Sequence, residues 1–311
     1  MQRMIIDTDT GSDDAVALLM ALMDPTVQVE AITIVAGNVP MTQGAQNALY
    51  TVELCGAATP VYEGIGKPLL RPLETAQHIH GQDGMGDIGL PLSGRAPAAG
   101  HAVDVLVDLV HRSPGEFTLV TLGPLTNIAA AVLRDPTFAE KIKACFVMGG
   151  TGQMHGNITP VGEYNIWADP EAAQIVFESG LPITMIGWDV SWQYAMFAPQ
   201  DIADLRALET PLATFSVDIQ AVLDRWAREN TALDGFDLPD PIAMAVALDP
   251  SIVTEKKRLH VAVETRGELT RGQTVVDHIE TLRQTPNVEV VFAVNRARFL
   301  AMLHRALGPK T

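Results

Sequence analysis

Residues 4–38, MIIDTDTGSDDAVALLMALMDPTVQVEAITIVAGN, hold a strand, an acidic turn, a helix and a second strand in one passage. MIID is a short apolar run rich in β-branched residues. In DAVALLMALMD, at 14–24, the residues Val16, Leu19, Leu22 and Met23 recur at helical spacing. VQVEAITIVAG, at 27–37, returns to strand composition, and MTQGAQNALYTVELCG, at 41–56, to helix. Two parallel strands joined by a helix are the βαβ unit, so this stretch predicts an α/β fold around a parallel sheet.

The same grammar continues downstream. FTLVTLG (117–123) precedes the helical PLTNIAAAVLRD, and KACFVMGG (143–150) leads through a long loop into ADPEAAQIVFESG. LPITMIGWDV (181–190) precedes a mostly helical region. DPIAMAVALD reads as a helix capped by Asp240 with Pro241 at its first position. RLHVAVET and VEVVFAV are later strands, RGELTRGQ is the turn of a hairpin, and ARFLAMLHRAL is the closing helix. No repeat or linker interrupts the pattern, and a single domain over 1–311 is expected.

Composition narrows the function classes. Thirty-seven acidic against twenty-one basic residues give a formal charge of −16, which repels nucleic acid over most of the surface. No run reads as a membrane span, and MQRMIIDTD has no signal-peptide core, so a cytoplasmic protein is expected. Cys55 and Cys145 are too few for a disulfide framework or a thiolate metal site and read as buried thiols.

Four carboxylates, Asp7, Asp9, Asp13 and Asp14, fall within eight residues at the end of the first strand. Taken singly they could brace the strand end, form an Asx-turn or cap the helix at Asp13. Together they demand compensation by raised pKa values or a divalent cation, and all-oxygen ligands suit calcium or magnesium. The spacing is not that of an EF-hand, and one glycine without a following Lys-Ser/Thr is not a phosphate loop. A hard cation beside carboxylates supplies an acidified water and a proton acceptor, and the negative pocket stabilises positive charge developing on a sugar. Loops longer than about 12–15 residues are uncommon without a function, which draws attention to the Gly-rich passages 63–100 and 149–168. In a parallel sheet such loops leave the carboxyl ends of strands, so the Asp cluster, Leu122–Gly123, the post-Gly149 loop and Asp240 are expected around one crevice.

DTDTGSDDAVALLMAL, AGN at 36–38, GPLTN at 123–127, GNITPVGEYNIWADPEAA at 156–173 and DPIA at 240–243 occur in one order, and together resemble the inosine-uridine-preferring nucleoside hydrolase family. The likeness runs from residue 4 through TRGQTVVD at 270–277. It implies a Rossmann-like three-layer sandwich with a mostly parallel central sheet and a small antiparallel extension. It also implies one Ca2+ at the bottom of a deep pocket and hydrolysis of a ribonucleoside to ribose and base. Asp9 would ligate the metal and take a proton from the attacking water. Asp14 would be a bidentate ligand, completed by Asp240 and the Leu122 carbonyl. Asp13 would hold the ribose 2′-hydroxyl, Asn165 the 3′-hydroxyl, and Asn157 with Glu163 the 5′-hydroxyl. Asn38 would face the ribose and Met148 would pack beneath it, while Tyr164 is either packing or a substrate wall. Homodimers or homotetramers are the family's usual assemblies.

One position departs from the pattern. The family usually carries His before the last metal aspartate, where it can protonate a leaving base, and here that residue is Pro239. His80, in AQHIHGQDGMG, matches a family histidine near the base and is the remaining catalytic candidate, with Trp226 as either pocket or helix-core residue. His78 is placed pointing elsewhere, and His101, His111 and His155 have no motif support. Two other readings stay open: the same reaction on a modified riboside, and a non-catalytic calcium-dependent riboside binder. A phosphatase is disfavoured because no basic group accompanies the Asn157–Asn165 block.

Overall fold

The computed structural model describes residues 1–230 and 235–309. Its strands in chain order are β1 (Gln2–Thr8), β2 (Val27–Ile34), β3 (Val61–Glu63), β4 (Phe117–Thr121), β5 (Ala144–Met148) and β6 (Ile183–Ile186). They continue with β7 (Met196–Phe197), β8 (Phe236–Asp237), β9 (Val253–Leu259), β10 (Val261–Val263), β11 (Thr274–Val276) and β12 (Val288–Val294). One eight-stranded sheet has the order β3-β2-β1-β4-β5-β6-β12-β9. Every neighbouring pair in it is parallel except β12 with β9. β10–β11 and β7–β8 are separate antiparallel ribbons.

The apolar run of β1 is explained by burial on both faces. Met4 and Ile6 enter one core with Val16 and Leu19, and Ile5 enters the other with Leu106 and Phe117. Helices Ala102–Arg112, Thr126–Arg134 and Pro170–Glu178 cover the second face, and most other helices cover the first, which makes the three layers. Helix Ser12–Met23 is buried throughout Ser12–Ala21, against helices Met41–Leu54, Pro239–Leu248 and Arg296–Leu307. A helix with no wet side needs no polar face, which is why its composition is apolar all round.

Three local expectations are corrected. The helix expected to start at Asp240 spans Pro239–Leu248, with Pro239 at the first position, where a missing N–H costs nothing. Asp240 thereby lies in the first turn and is released from capping. RLHVAVET breaks after Leu259, so its first part pairs with β12 and its second with β11. Cys145 is buried as expected, whereas Cys55, at the end of helix Met41–Leu54, is only half-buried.

β1 is followed in sequence by a neighbour on one side, β2, while β4 lies on its other side. Loops leaving the carboxyl ends of β1 and β4 therefore diverge and open a crevice, the switch point at which α/β sheets place ligands.

Candidate active site

The chain leaving β1 turns sharply because Asp14 caps it. Asp14 Oδ2 accepts from the Gly11 N–H at 2.8 Å and Oδ1 from the Thr8 hydroxyl at 2.5 Å. The cap is thus Asp14, three residues into the turn, and Asp13 makes no capping bond. Asp7 belongs to the sheet: its Oδ1 accepts from Thr33 at 2.5 Å and from Asn127 Nδ2 at 2.8 Å. Asn127 also donates to the Ile34 carbonyl and accepts from Ile65 N–H, so the Asn of GPLTN ties β1, β2 and a loop together.

Asp9 sits where AGN and GPLTN meet. Its Oδ2 accepts from the Asn38 N–H at 2.6 Å, and Asn38 Nδ2 donates to Asp14 Oδ2 at 3.0 Å. Side-chain carbons at Gly37 or Gly123 would collide with the Asp9 carboxylate. Both glycines are there to let the backbone close over it, a packing reason invisible in the motifs themselves.

Asp9 and Asp14 have no accessible surface, Asp240 has 2% and Asp13 5%. Oxygens of Asp13, Asp14 and Asp240 lie within 4.8 Å of one another. Asp9 Oδ1 and Asp13 Oδ1 are buried with no hydrogen-bond partner among the described residues. Burial, with the repulsion of neighbouring carboxylates, holds Asp9, Asp13 and Asp240 well above the usual carboxylate range. Four dry carboxylates, two of them with an orphaned oxygen, are unfavourable without a positive charge among them, and an all-oxygen donor set fits a hard divalent cation.

Above this floor opens a cavity of about 530 Å³. Asp13, Asn38, His80, Leu122, Met148, Asn157, Glu163, Tyr164, Asn165, Trp226 and Asp240 all line it. Asp9 and Asp14 lie beneath it and do not contribute to its wall. Asn165 Nδ2 donates to the Leu122 carbonyl at 2.6 Å and to Met148, and among the described residues nothing donates to its Oδ1. Glu163 caps helix Tyr164–Ala168 and accepts three backbone N–H groups, from Gly150, Asn165 and Ile166. Burial pushes its carboxyl up to about 7. Asn157 Oδ1 takes the Tyr164 N–H, so its oxygen organises the turn while the side chain stays at the cavity edge. The Tyr164 hydroxyl donates to the Glu74 carbonyl. Trp226 is half-buried and lines the cavity together with the buried Leu223 and Ala227 of the same helix.

His80 is oriented by a chain of bonds that assigns its tautomer. Gln220 Nε2 donates to the Ser12 and Ser216 carbonyls, which makes Gln220 Oε1 the acceptor for the Ser12 hydroxyl at 2.7 Å. Ser12 Oγ, its proton committed, accepts from His80 Nδ1–H at 3.0 Å. Nε2 is then the bare nitrogen of a neutral ring, and burial pushes the imidazolium down to about 4. Proton donation by His80 at neutral pH therefore works against its surroundings.

Several lining residues were not among the sequence candidates. His78 and His155 both reach the cavity, as do Trp188, Trp192 and Asp237. The Trp188 ring lies tilted with its centroid 5.0 Å from that of Trp192 and 5.3 Å from that of His155, and its Nε1 donates to Asp237 Oδ2 at 2.8 Å. GWDVSW read as strand end and helix, and nothing local marks its tryptophans as cavity wall.

The sequence model of the inosine-uridine preferring nucleoside hydrolase family matches residues 4–301. The chain is 38% identical over 305 residues to the pyrimidine-specific ribonucleoside hydrolase RihA of Salmonella enteritidis, covering 97% of each. It is 38% identical to a probable uridine nucleosidase of Oryza sativa, over 88% of this chain and 85% of that one. The structure is similar to a plant nucleoside hydrolase, PpNRh1, with a TM-score of 0.93, 36% identity and 99% of both chains covered. It is also similar to a purine-preferring ribonucleoside hydrolase from Gardnerella vaginalis, with a TM-score of 0.90, 35% identity and 98% of both chains covered. With the acidic turn, the Asn165 block and Asp240 converging on one cavity, the chain belongs to the inosine-uridine preferring nucleoside hydrolase family and is a nucleoside N-ribohydrolase.

Proposed function

We propose that the protein hydrolyses the N-glycosidic bond of ribonucleosides in a calcium-dependent reaction, with Asp9 as general base. The observation that carries this reading is the pair of buried, partnerless oxygens, Asp9 Oδ1 and Asp13 Oδ1, the latter's residue clustered with Asp14 and Asp240 and Asp9 near enough to be repelled by Asp13 and Asp14. Asp9, Asp14, Asp240 and the second lone pair of the Leu122 carbonyl would hold the cation, and Asp13 lies close enough to share its charge. When bound, calcium offsets the carboxylate charge and acidifies the water it polarises.

The remaining chemistry belongs to the chain. Asp9 is fixed at Oδ2 by the Asn38 N–H and offers Oδ1 to the proton of the attacking water. Asp13 accepts from the ribose 2′-hydroxyl, and Asn165, anchored through Nδ2, accepts from the 3′-hydroxyl at Oδ1. Asn157 and Glu163 serve the 5′-hydroxyl from the loop above, and Met148 packs under the sugar. The same negative floor stabilises oxocarbenium character as the base leaves. Neutral His80 lines the leaving-group side and takes its geometry from Ser12. Relatives named as pyrimidine-specific and as purine-preferring stand at comparable identity, so the base preference is carried by this chain's own wall.

The test is to incubate calcium-loaded protein with uridine, cytidine, inosine, adenosine and guanosine and to separate free base by chromatography. Parallel reactions contain chelator, added phosphate, or the Asp9→Ala variant. Base and ribose are expected, with no ribose phosphate, and removing Asp9 or the metal should cost at least about a thousandfold. Release that persists in Asp9→Ala with chelator present would refute the assignment. The same reading carries homodimeric or homotetrameric assembly, which sedimentation velocity measures directly.

A further inference from the structure

At the base end of the cavity Pro239 offers neither donor nor acceptor, yet a carboxylate stands two residues before it. Cavity-lining Glu163 is committed to three backbone N–H groups, and Asp13 and Asp240 belong to the acidic floor. Asp237 is placed differently. Its Oδ2 takes two donors, Trp188 Nε1 at 2.8 Å and Ser191 Oγ at 2.9 Å. Among the described residues its Oδ1 accepts from no other residue. Asp237 is half-buried and lines the cavity.

The two donors fix the carboxylate in the plane they define, and the indole that holds it is part of the Trp188–Trp192–His155 cluster. A heteroaromatic base needs an aromatic face to stack on and an in-plane partner for its edge. This wall supplies both, and an acceptor without a donor discriminates strongly between bases that do and do not bring an N–H. We propose that Asp237 is a specificity-determining residue: its Oδ1 accepts a ring N–H of the nucleobase, while Trp188 and Ser191 hold it in register. The inference rests on the ribohydrolase reading above and adds to it the group that reads the base.

The test compares uridine with 3-methyluridine and inosine with 1-methylinosine, in the wild type and in Asp237→Asn. Asn can keep its oxygen on Trp188 and Ser191 while turning an NH2 group toward the base. Methylation is expected to lower wild-type kcat/KM by about tenfold or more, and Asp237→Asn to shrink that gap to about threefold or less. 4-Nitrophenyl β-D-ribofuranoside, whose leaving group has no N–H, should be cleaved equally by both proteins. A methylation gap that survives in Asp237→Asn is steric and overturns the proposal, as does a wild type indifferent to methylation. A variant that loses the nitrophenyl riboside in proportion to nucleosides overturns it too, by assigning Asp237 a general structural role. A wild type inert on every riboside would instead remove the ribohydrolase reading on which the proposal stands. Thermal melting of Asp237→Asn guards against misfolding, and the wild-type methylation comparison decides the matter without any variant.

Discussion

A side-chain carbon at Gly123 would sit 2.6 Å from Asp9 Oδ1, and one at Gly37 would overlap Oδ2. Neither glycine is in a left-handed conformation, so the requirement is close approach and not backbone freedom. Gly37→Ala or Gly123→Ala should push Asp9 off its position, and misplacement of a reacting group by about an ångström costs about a hundredfold in rate. Measured kcat on the fastest nucleoside should fall by that order, with weaker calcium binding by titration calorimetry. Unchanged kcat in both variants would mean that Asp9 tolerates displacement and is not the base. Asp7, chemically identical and two residues away, braces β1 through Thr33 and Asn127 and takes no part in the cavity. Residue type and spacing alone could not separate these two aspartates, because Asp7 is held within β1 while Asp9 lies beyond the strand's end at Thr8, where other segments make its surroundings.

Among the elements, the β10–β11 ribbon explains why the family likeness extends to TRGQTVVD although nothing there lines the cavity. Thr274 Oγ1 donates to the Thr151 carbonyl at 2.8 Å and accepts the Thr151 N–H at 2.9 Å. His278 Nε2 meets the Gly152 carbonyl at 2.9 Å, and Arg271 lies 4.0 Å over the Trp167 ring. The ribbon thus clamps both ends of the loop that carries Asn157 and Glu163. Thr274→Val removes both Thr151 bonds in a buried setting, and leaving such groups unsatisfied costs about 1–3 kcal/mol. Urea denaturation should register that loss, and KM should rise more than kcat falls, because the loop serves the sugar and not the water. A variant with native stability and native KM would show that the clamp is dispensable. Asp169 does similar work in the ADPEAA block, capping helix Pro170–Glu178 while accepting from Thr126 and Leu69. Much of what looks like site motif is scaffold.

Across the whole molecule the acidic floor couples stability to the cation. In chelator, Asp9, Asp13 and Asp240 hold protons in the native state that the unfolded chain releases above about pH 4. Native protein then binds more protons than unfolded protein, so stability falls as pH rises from there toward neutrality. His80 has the opposite sign: pushed down to about 4, it contributes stability that is lost as pH falls below about 6.5. Three carboxyls outweigh one imidazole, and the net slope should be negative. Chelated protein is expected to melt lower at pH 7.5 than at pH 5.5, and calcium should shrink that difference to the part carried by Asp7 and Glu163, whose carboxyls burial pushes up to about 7. At about a hundredfold excess over Kd, calcium adds about 2.7 kcal/mol. Equal melting curves with and without calcium at pH 7.5 would remove the metal from the floor. Among the described residues no helix is long and apolar enough to cross a membrane.

The fold class and the acidic cluster were legible in the sequence because each is local. Apolar runs of strand length report a sheet buried on both faces, and four aspartates in eight residues report a charge problem wherever the chain goes. Tertiary structure decided this part of the cavity wall, since Trp188, Asp237, His155 and Trp226 come from four separate segments, each of which alone reads as core, turn or helix surface. It also decided that Asp14 and not Asp13 caps the first helix, and that Asp240 is freed because Pro239 takes the first helical position. Periodicity and charge density are properties of a segment. Which oxygen is left without a partner depends on what the rest of the chain brings against it, and that is settled only by packing.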